Sequence, residues 1–173
     1  MSFTPDMKDW TWVLDARCQE CGFDARDFDV RDTAIMIRRN AASWRAVLRG
    51  TGVRRRPNDH TWSPLEYACH VRDVFRLYDE RLMLMLTADD PTYPNWDQDA
   101  TAIEARYNEQ DPAIVASELD DAAEGLAAHF DHLDSDQWQR TGNRSDGARF
   151  TVESFARYMI HDPVHHLRDV GAA

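Results

Sequence analysis

Lysine is almost missing from this 173-residue chain: of 20 basic residues, only Lys8 is a lysine and the rest are arginines. Positive charge is short overall. With 31 acidic residues the formal net charge is −11, which excludes the counterion-releasing surface that nucleic-acid binding requires and disfavours an anionic membrane. Long apolar runs are also absent. The longest, Leu82-Met83-Leu84-Met85-Leu86, is far short of the ~20 residues of a membrane span. Cysteine is sparse and odd in number, with Cys18, Cys21 and Cys69. The segment Met1 to Asp9 is polar and lacks the basic head and apolar core of a secretion signal. Free thiols in a reducing compartment, and a cytoplasmic location, are therefore expected. No repeat or low-complexity tract interrupts the chain. Its length suits one domain over residues 1–173, burying roughly 70% of the unfolded surface.

What is present reads as helix. Residues 1–31 form an irregular lead-in with Trp10, Trp12 and a Cys18-Gln19-Glu20-Cys21-Gly22 turn. A first helix is predicted from Thr33 to about Arg49, with Asp32 as N-cap and Ile37, Ala41, Trp44 and Leu48 on one face. The second has the clearest start: Ser63-Pro64-Leu65-Glu66 supplies a capping hydroxyl, a first-position proline and a reciprocal glutamate. It runs to about Thr87. A third starts at Asp111-Pro112, with Ile114, Val115, Leu119, Leu126 and Phe130 at helical spacing. The fourth runs from about Thr151 to Val170, with Pro163 in its interior to bend it. The connection 88–111 is too long for a turn and is expected to be a functional loop or a crossover. Asn143-Arg144-Ser145-Asp146-Gly147 marks a turn. The expected fold is all-α, a four-helix bundle over residues 33–170.

The chemistry lies in histidine. In His161-Asp162-Pro163-Val164-His165-His166, His161 and His165 are one turn apart, so both imidazoles can address one atom. His70, in the capped second helix, can complete a three-histidine set with coordination positions left open, as in catalytic metal sites. His70 lies ~9 Å from the start of its helix, and His165 and His161 lie ~7–13 Å from the end of theirs. They are level only if the second and fourth helices are antiparallel. A crossover through 88–111 gives that order, up-down-down-up. In this topology His129 and His132 fall at the far end as surface groups. His166 points about 100° away from His165 and is placed to pair with Asp162 or approach substrate. His60 is a candidate pocket-wall residue. Asp73 and Asp169 are candidates to accept from metal-bound imidazoles.

These segments carry a resemblance. Trp62-Ser63-Pro64-Leu65-Glu66-Tyr67, His70 and Asp73, together with His161-Asp162-Pro163-Val164-His165-His166-Leu167, resemble the second- and fourth-helix motifs of the DinB/YfiT-like superfamily of bacterial metal-binding bundles. The resemblance spans residues 33–170. It implies an up-down-down-up bundle and a divalent metal on His70, His161 and His165, zinc first, nickel or iron next. The arginine bias, usual in GC-rich genomes, and the Cys18–Cys21 lead-in are most similar to the actinobacterial mycothiol S-transferase branch. That likeness implies a metal-bound, mycothiol-type thiol cosubstrate transferred to a small electrophile. A metal lowers a thiol's pKa from ~8.5, making it the nucleophile. Tyr67, Tyr93 and Trp96 are candidate apolar pocket walls.

Two other readings need the same ligands: a metal-dependent hydrolase with activated water, and a non-catalytic metal-binding or sensing homodimer. Cys18-x-x-Cys21 is half of a zinc ribbon with its second pair missing, or a redox dithiol. Arg54-Arg55-Arg56 could attract an anionic cosubstrate.

Overall fold

A computed structural model describes residues 9–172. The first eight residues of the expected lead-in, and Ala173, lie outside the described residues. The four long helices begin where local capping chemistry is strongest. In α2 (Pro64–Thr87) Ser63 Oγ accepts from the Glu66 N–H, and the Glu66 carboxylate accepts from the Ser63 N–H at 2.8 Å. At α4 (Pro112–Asp131) the Asp111 carboxylate accepts from the N–H groups of Ala113 and Ile114. A Thr151–Ser154 box opens α5 (Val152–Asp169), which continues through Pro163. The exception is α1 (Thr33–Leu48), where Asp32 makes no side-chain cap. The chain enters α1 from a 3-10 turn, Val30–Asp32, which Asp29 caps instead. Each side chain satisfies N–H groups that the first helical turn leaves without partners.

Pairs between helices give their directions. Arg72 reaches Glu118 at 2.7 Å and Asp79 reaches His129 at 2.6 Å, so α2 and α4 run the same way. Arg45–Asp120 and Arg38–Glu124 set α1 against α4. Tyr78 packs on Phe155, with ring centres 4.7 Å apart, and His70 meets Asp162, so α2 and α5 are antiparallel. Two consecutive long helices that run alike need a connection as long as the bundle, and residues 88–111 provide it. Between the helices Trp44, Phe75, Leu82, Leu126, Phe155 and Met159 are fully buried.

The expectation of an all-α chain is corrected by a small sheet. Strand β1 (Thr92–Tyr93) in the crossover pairs parallel with β2 (Thr141–Arg144), which pairs antiparallel with β3 (Arg149–Thr151), in the order β1-β2-β3. A turn at residues 145–147, inside the expected turn segment, joins β2 to β3. These strands are two to four residues long, too short for an alternating pattern to stand out. Gly142 is required here: a Cβ would lie 2.7 Å from Met85 Cγ and 3.0 Å from Tyr93 Cε1. The crossover also holds α3 (Gln98–Glu104), which Asp97 caps, and a 3-10 turn at Tyr107–Glu109. Among the described residues no helix is long and apolar enough to cross a membrane.

Candidate metal centre

Helix α5 turns about 100° per residue, so its two adjacent i, i+4 pairs face different neighbours. The pair Asp162 and His166 faces α2. There His70, Asp162 and His166 offer donor atoms that all lie within 4.8 Å of one another. His70 Nε2 is 3.1 Å from Asp162 Oδ1, and His166 Nε2 is 3.6 Å from the same oxygen. Nitrogen and oxygen ligands held at about 2.0–2.2 Å in a tetrahedral shell stand about 3.3–3.6 Å apart. The two-imidazole, one-carboxylate set fits a divalent cation by chemistry and by spacing. His70 is fully buried, and its Nδ1 has no hydrogen-bond partner among the described residues.

The surroundings fix these rings. Trp96 stacks on His70 with ring centres 5.3 Å apart and planes 5° apart, and Trp62 closes another side at 5.4 Å. Tyr67 lies on His166 at 4.7 Å. The Asp169 carboxylate holds His166 Nδ1 at 2.8 Å, the arrangement that sets the tautomer of a metal-binding imidazole. Burial opposes the charge of Asp162, yet the facing His70 and His166 hold its carboxyl well below the usual carboxylate range. Asp162 and His166, with His161 and His165, border a cavity of about 570 Å³, walled by Val74, Tyr78, Arg81, Trp96 and Tyr158. That volume suits a small-molecule site.

The other pair faces the N-terminal segment. His161 and His165 group with Cys18 and Cys21, again with all donor atoms within 4.8 Å. Burial, then the neighbouring His165, lowers the His161 imidazole to about 4, and burial pushes the Cys21 thiol up to about 11. The set of His70, His161 and His165 expected from spacing is thus divided. The structure brings His161 and His165 together but with two thiols, and it brings His70 to Asp162 and His166. One residue of rotation along α5 separates the alternatives.

The remaining candidates are placed as follows. Asp169 supports His166, and Trp96 lines the cavity beside His70. Asp73 is turned away: it accepts from the Tyr107 hydroxyl at 2.6 Å and pairs with Arg72. Tyr93 is buried beneath the Arg81 guanidinium, 4.8 Å from its ring centre, so it belongs to the core. His60 is exposed in the loop before α2. Arg56 is committed to Glu66 and Arg54 to the Asn108 carbonyl, so two of the three loop arginines pin the crossover and the α2 cap. His129 and His132 sit at the far end, on Asp79 and the Ala128 carbonyl. Cys69 is buried against the Tyr107 carbonyl and Gln110. Sequence reasoning placed Asp162 and His166 beside the site, not in it. Their own i, i+4 spacing was the available signal.

A bundle of this topology, with a histidine–carboxylate donor group beside a cavity, defines a helical-bundle protein with a candidate metal site. The chain belongs to the DinB superfamily, whose family model matches residues 36–170. Its structure is similar to YfiT from Bacillus subtilis, described as a probable metal-dependent hydrolase with an unusual four-helix bundle topology. The TM-score is 0.73 at 17% identity, covering 82% of this chain and 85% of that one. At that identity the likeness concerns the fold. Among curated proteins none matches the sequence.

Proposed function

We propose that this protein is a divalent-metal-dependent enzyme, and that the reaction is transfer of a low-molecular-weight, mycothiol-type thiol to a small electrophile. The observation that carries the metal reading is the meeting of His70, Asp162 and His166, from two antiparallel helices, the last two of which border the cavity. When bound there, a cation such as zinc supplies Lewis acidity that favours the thiolate form of a thiol at neutral pH. Two imidazoles and one carboxylate are His70, His166 and Asp162, and together they leave coordination positions for a further ligand. Asp169 keeps His166 in the tautomer that presents Nε2. Trp96, Tyr78 and Tyr158 give the cavity an aromatic wall beside polar groups such as Arg81 and Arg144. The choice of a thiol rests on the motif resemblance and on a cavity with room for a cosubstrate and an electrophile.

A second reading is hydrolysis, with water as the nucleophile. It is favoured by the open donor set and by the description of YfiT as a probable metal-dependent hydrolase. One experiment separates the two. Tag-free protein loaded with zinc is incubated with monochlorobimane and either mycothiol or glutathione, in parallel with ester and amide substrates without thiol. Thiol-dependent conjugation that disappears in His70→Ala and Asp162→Ala is the expected result. Ester or amide turnover without thiol, lost in the same variants, assigns the hydrolase. Metal binding with no turnover on either side overturns both and leaves a metal-binding bundle.

A further inference from the structure

We propose that Cys18, Cys21, His161 and His165 form a second metal site, a closed Cys2His2 zinc centre that clamps the N-terminal segment onto α5. Four observations carry it, none involving the His70 group. The spacings are those of zinc modules, Cys-x2-Cys followed by His-x3-His. The pairs lie far apart in the chain, with Cys18 and His165 separated by 147 positions, yet the fold brings all four donor atoms within 4.8 Å of one another. The Cys18 Sγ to His165 Nδ1 distance is 3.6 Å. A tetrahedral zinc with Zn–S of about 2.3 Å and Zn–N of about 2.0–2.1 Å sets sulfur and nitrogen about 3.5–3.6 Å apart. Finally, His161 Nε2 is buried without a hydrogen-bond partner among the described residues, and an unpaired buried nitrogen is costly unless something binds it.

The local backbone is shaped to present both sulfurs. The Gly22 N–H donates to the Cys18 carbonyl at 2.9 Å, and the Cys18 N–H donates to the Phe23 carbonyl at 2.8 Å. This fold-back needs Gly22 at φ +78°, a left-handed conformation that glycine adopts without strain. Arg17 Nε donates to the Gly22 carbonyl and holds the turn. On the other side, the carboxylate of Glu20, from within the Cys-x2-Cys turn, lies 3.2 Å from His165 Nε2. That contact places the ring proton on Nε2 and leaves Nδ1 facing Cys18. Trp10 and Phe23 cover His161, with ring centres 5.7 and 6.0 Å away.

All four positions are filled by protein, which marks a structural site, and a sulfur–nitrogen tetrahedron selects zinc. Binding releases the two thiol protons to solvent and leaves both sulfurs as thiolates. Alternate pairs of α5 then serve two centres, His161 and His165 for the clamp, Asp162 and His166 for the group with His70, and all four border the same cavity. Trp10, held over the clamp, also lines that cavity.

The test uses the full-length chain, purified without an affinity tag under reducing conditions. Zinc-loaded wild type is measured by X-ray absorption, and cobalt-substituted wild type by ultraviolet–visible spectroscopy. Sulfur scatterers at zinc and a thiolate-to-cobalt charge-transfer band are expected. Replacing both thiols, Cys18→Ser with Cys21→Ser, is expected to remove one metal equivalent and that band. His70→Ala is expected to remove the other equivalent and keep the band. A wild-type metal with only nitrogen and oxygen neighbours overturns the proposal, as does a Cys18–Cys21 disulfide in the reduced preparation. Both wild-type readings hold even if the double variant fails to fold. Loss of the cavity metal alone would instead count against the proposed enzyme and leave the sulfur-bound zinc standing.

Discussion

The carboxylate of Asp162 on α5 lies 3.1 Å from Nε2 of His70 on α2, across two helices that run in opposite directions. The preceding residue, His161, is turned about 100° around α5 and meets Trp10, where it still borders the cavity. Cavity chemistry and N-terminal attachment are thereby interleaved on one helix, and most of the expected behaviour below follows from that rotation.

Removing the Asp162 carboxylate takes away one of three cavity donors. Asp162→Ala is expected to weaken metal binding at the cavity by at least the ~10–100-fold that loss of a mere supporting partner costs. His161→Ala is expected to leave that affinity unchanged. Competition with a chromogenic chelator measures both. A loss in His161→Ala with none in Asp162→Ala would restore the triad of His70, His161 and His165.

Asp169 acts one step further out, through its 2.8 Å contact to His166 Nδ1. Asp169→Asn should lower metal affinity about 10–100-fold with the helical circular-dichroism spectrum unchanged. An unaltered affinity would show that the contact is only a surface ion pair.

Glu66 couples helix capping to pH. Burial opposes its charge, but Arg56 and the Ser63 N–H hold its carboxyl below the ordinary value of 4.5. A depressed folded-state pKa adds stability above the unfolded value, and this is lost as pH falls through the folded one. Glu66→Gln should therefore cost about 1–3 kcal/mol at pH 7 and flatten the fall in stability below about pH 4.5. Urea unfolding across pH 3–7 reads both. An acid limb identical in the variant would mean that other carboxylates dominate.

Gly142 admits no side chain. Its added Cβ would lie 2.7 Å from Met85 Cγ, so Gly142→Ala should cost about 1–3 kcal/mol through overpacking, seen as a lower midpoint in thermal unfolding. Gly125 meets nothing within 4 Å of an added Cβ, and Gly125→Ala in α4 should gain up to about 1 kcal/mol.

Much of this architecture was written into short stretches of residues. Ser63-Pro64-Leu65-Glu66, Asp111-Pro112 and Thr151 start their helices because capping is satisfied within a few residues of chain. The sheet escaped notice because its strands are brief and the Gly142 contact exists only after Met85 and Tyr93 have packed. Asp32 missed its expected role because the chain arrives at α1 already wound in a 3-10 turn. His70 was a candidate in the sequence because the capped start of α2 and the rise per residue fix its level along that helix.

The order of amino acids indicated where three of the long helices begin and that the 88–111 segment is a long loop or a crossover, and it holds two overlapping i, i+4 pairs of potential ligands in α5. It did not settle which pair faces α2. That depends on the roll of α5 about its own axis, set by the burial of Phe155, Met159 and Ile160 against the other helices, and one residue's rotation exchanges the pairs. Nor could it join Cys18 and Cys21 to histidines 140 or more positions away, because contacts at such range exist only once the core has closed.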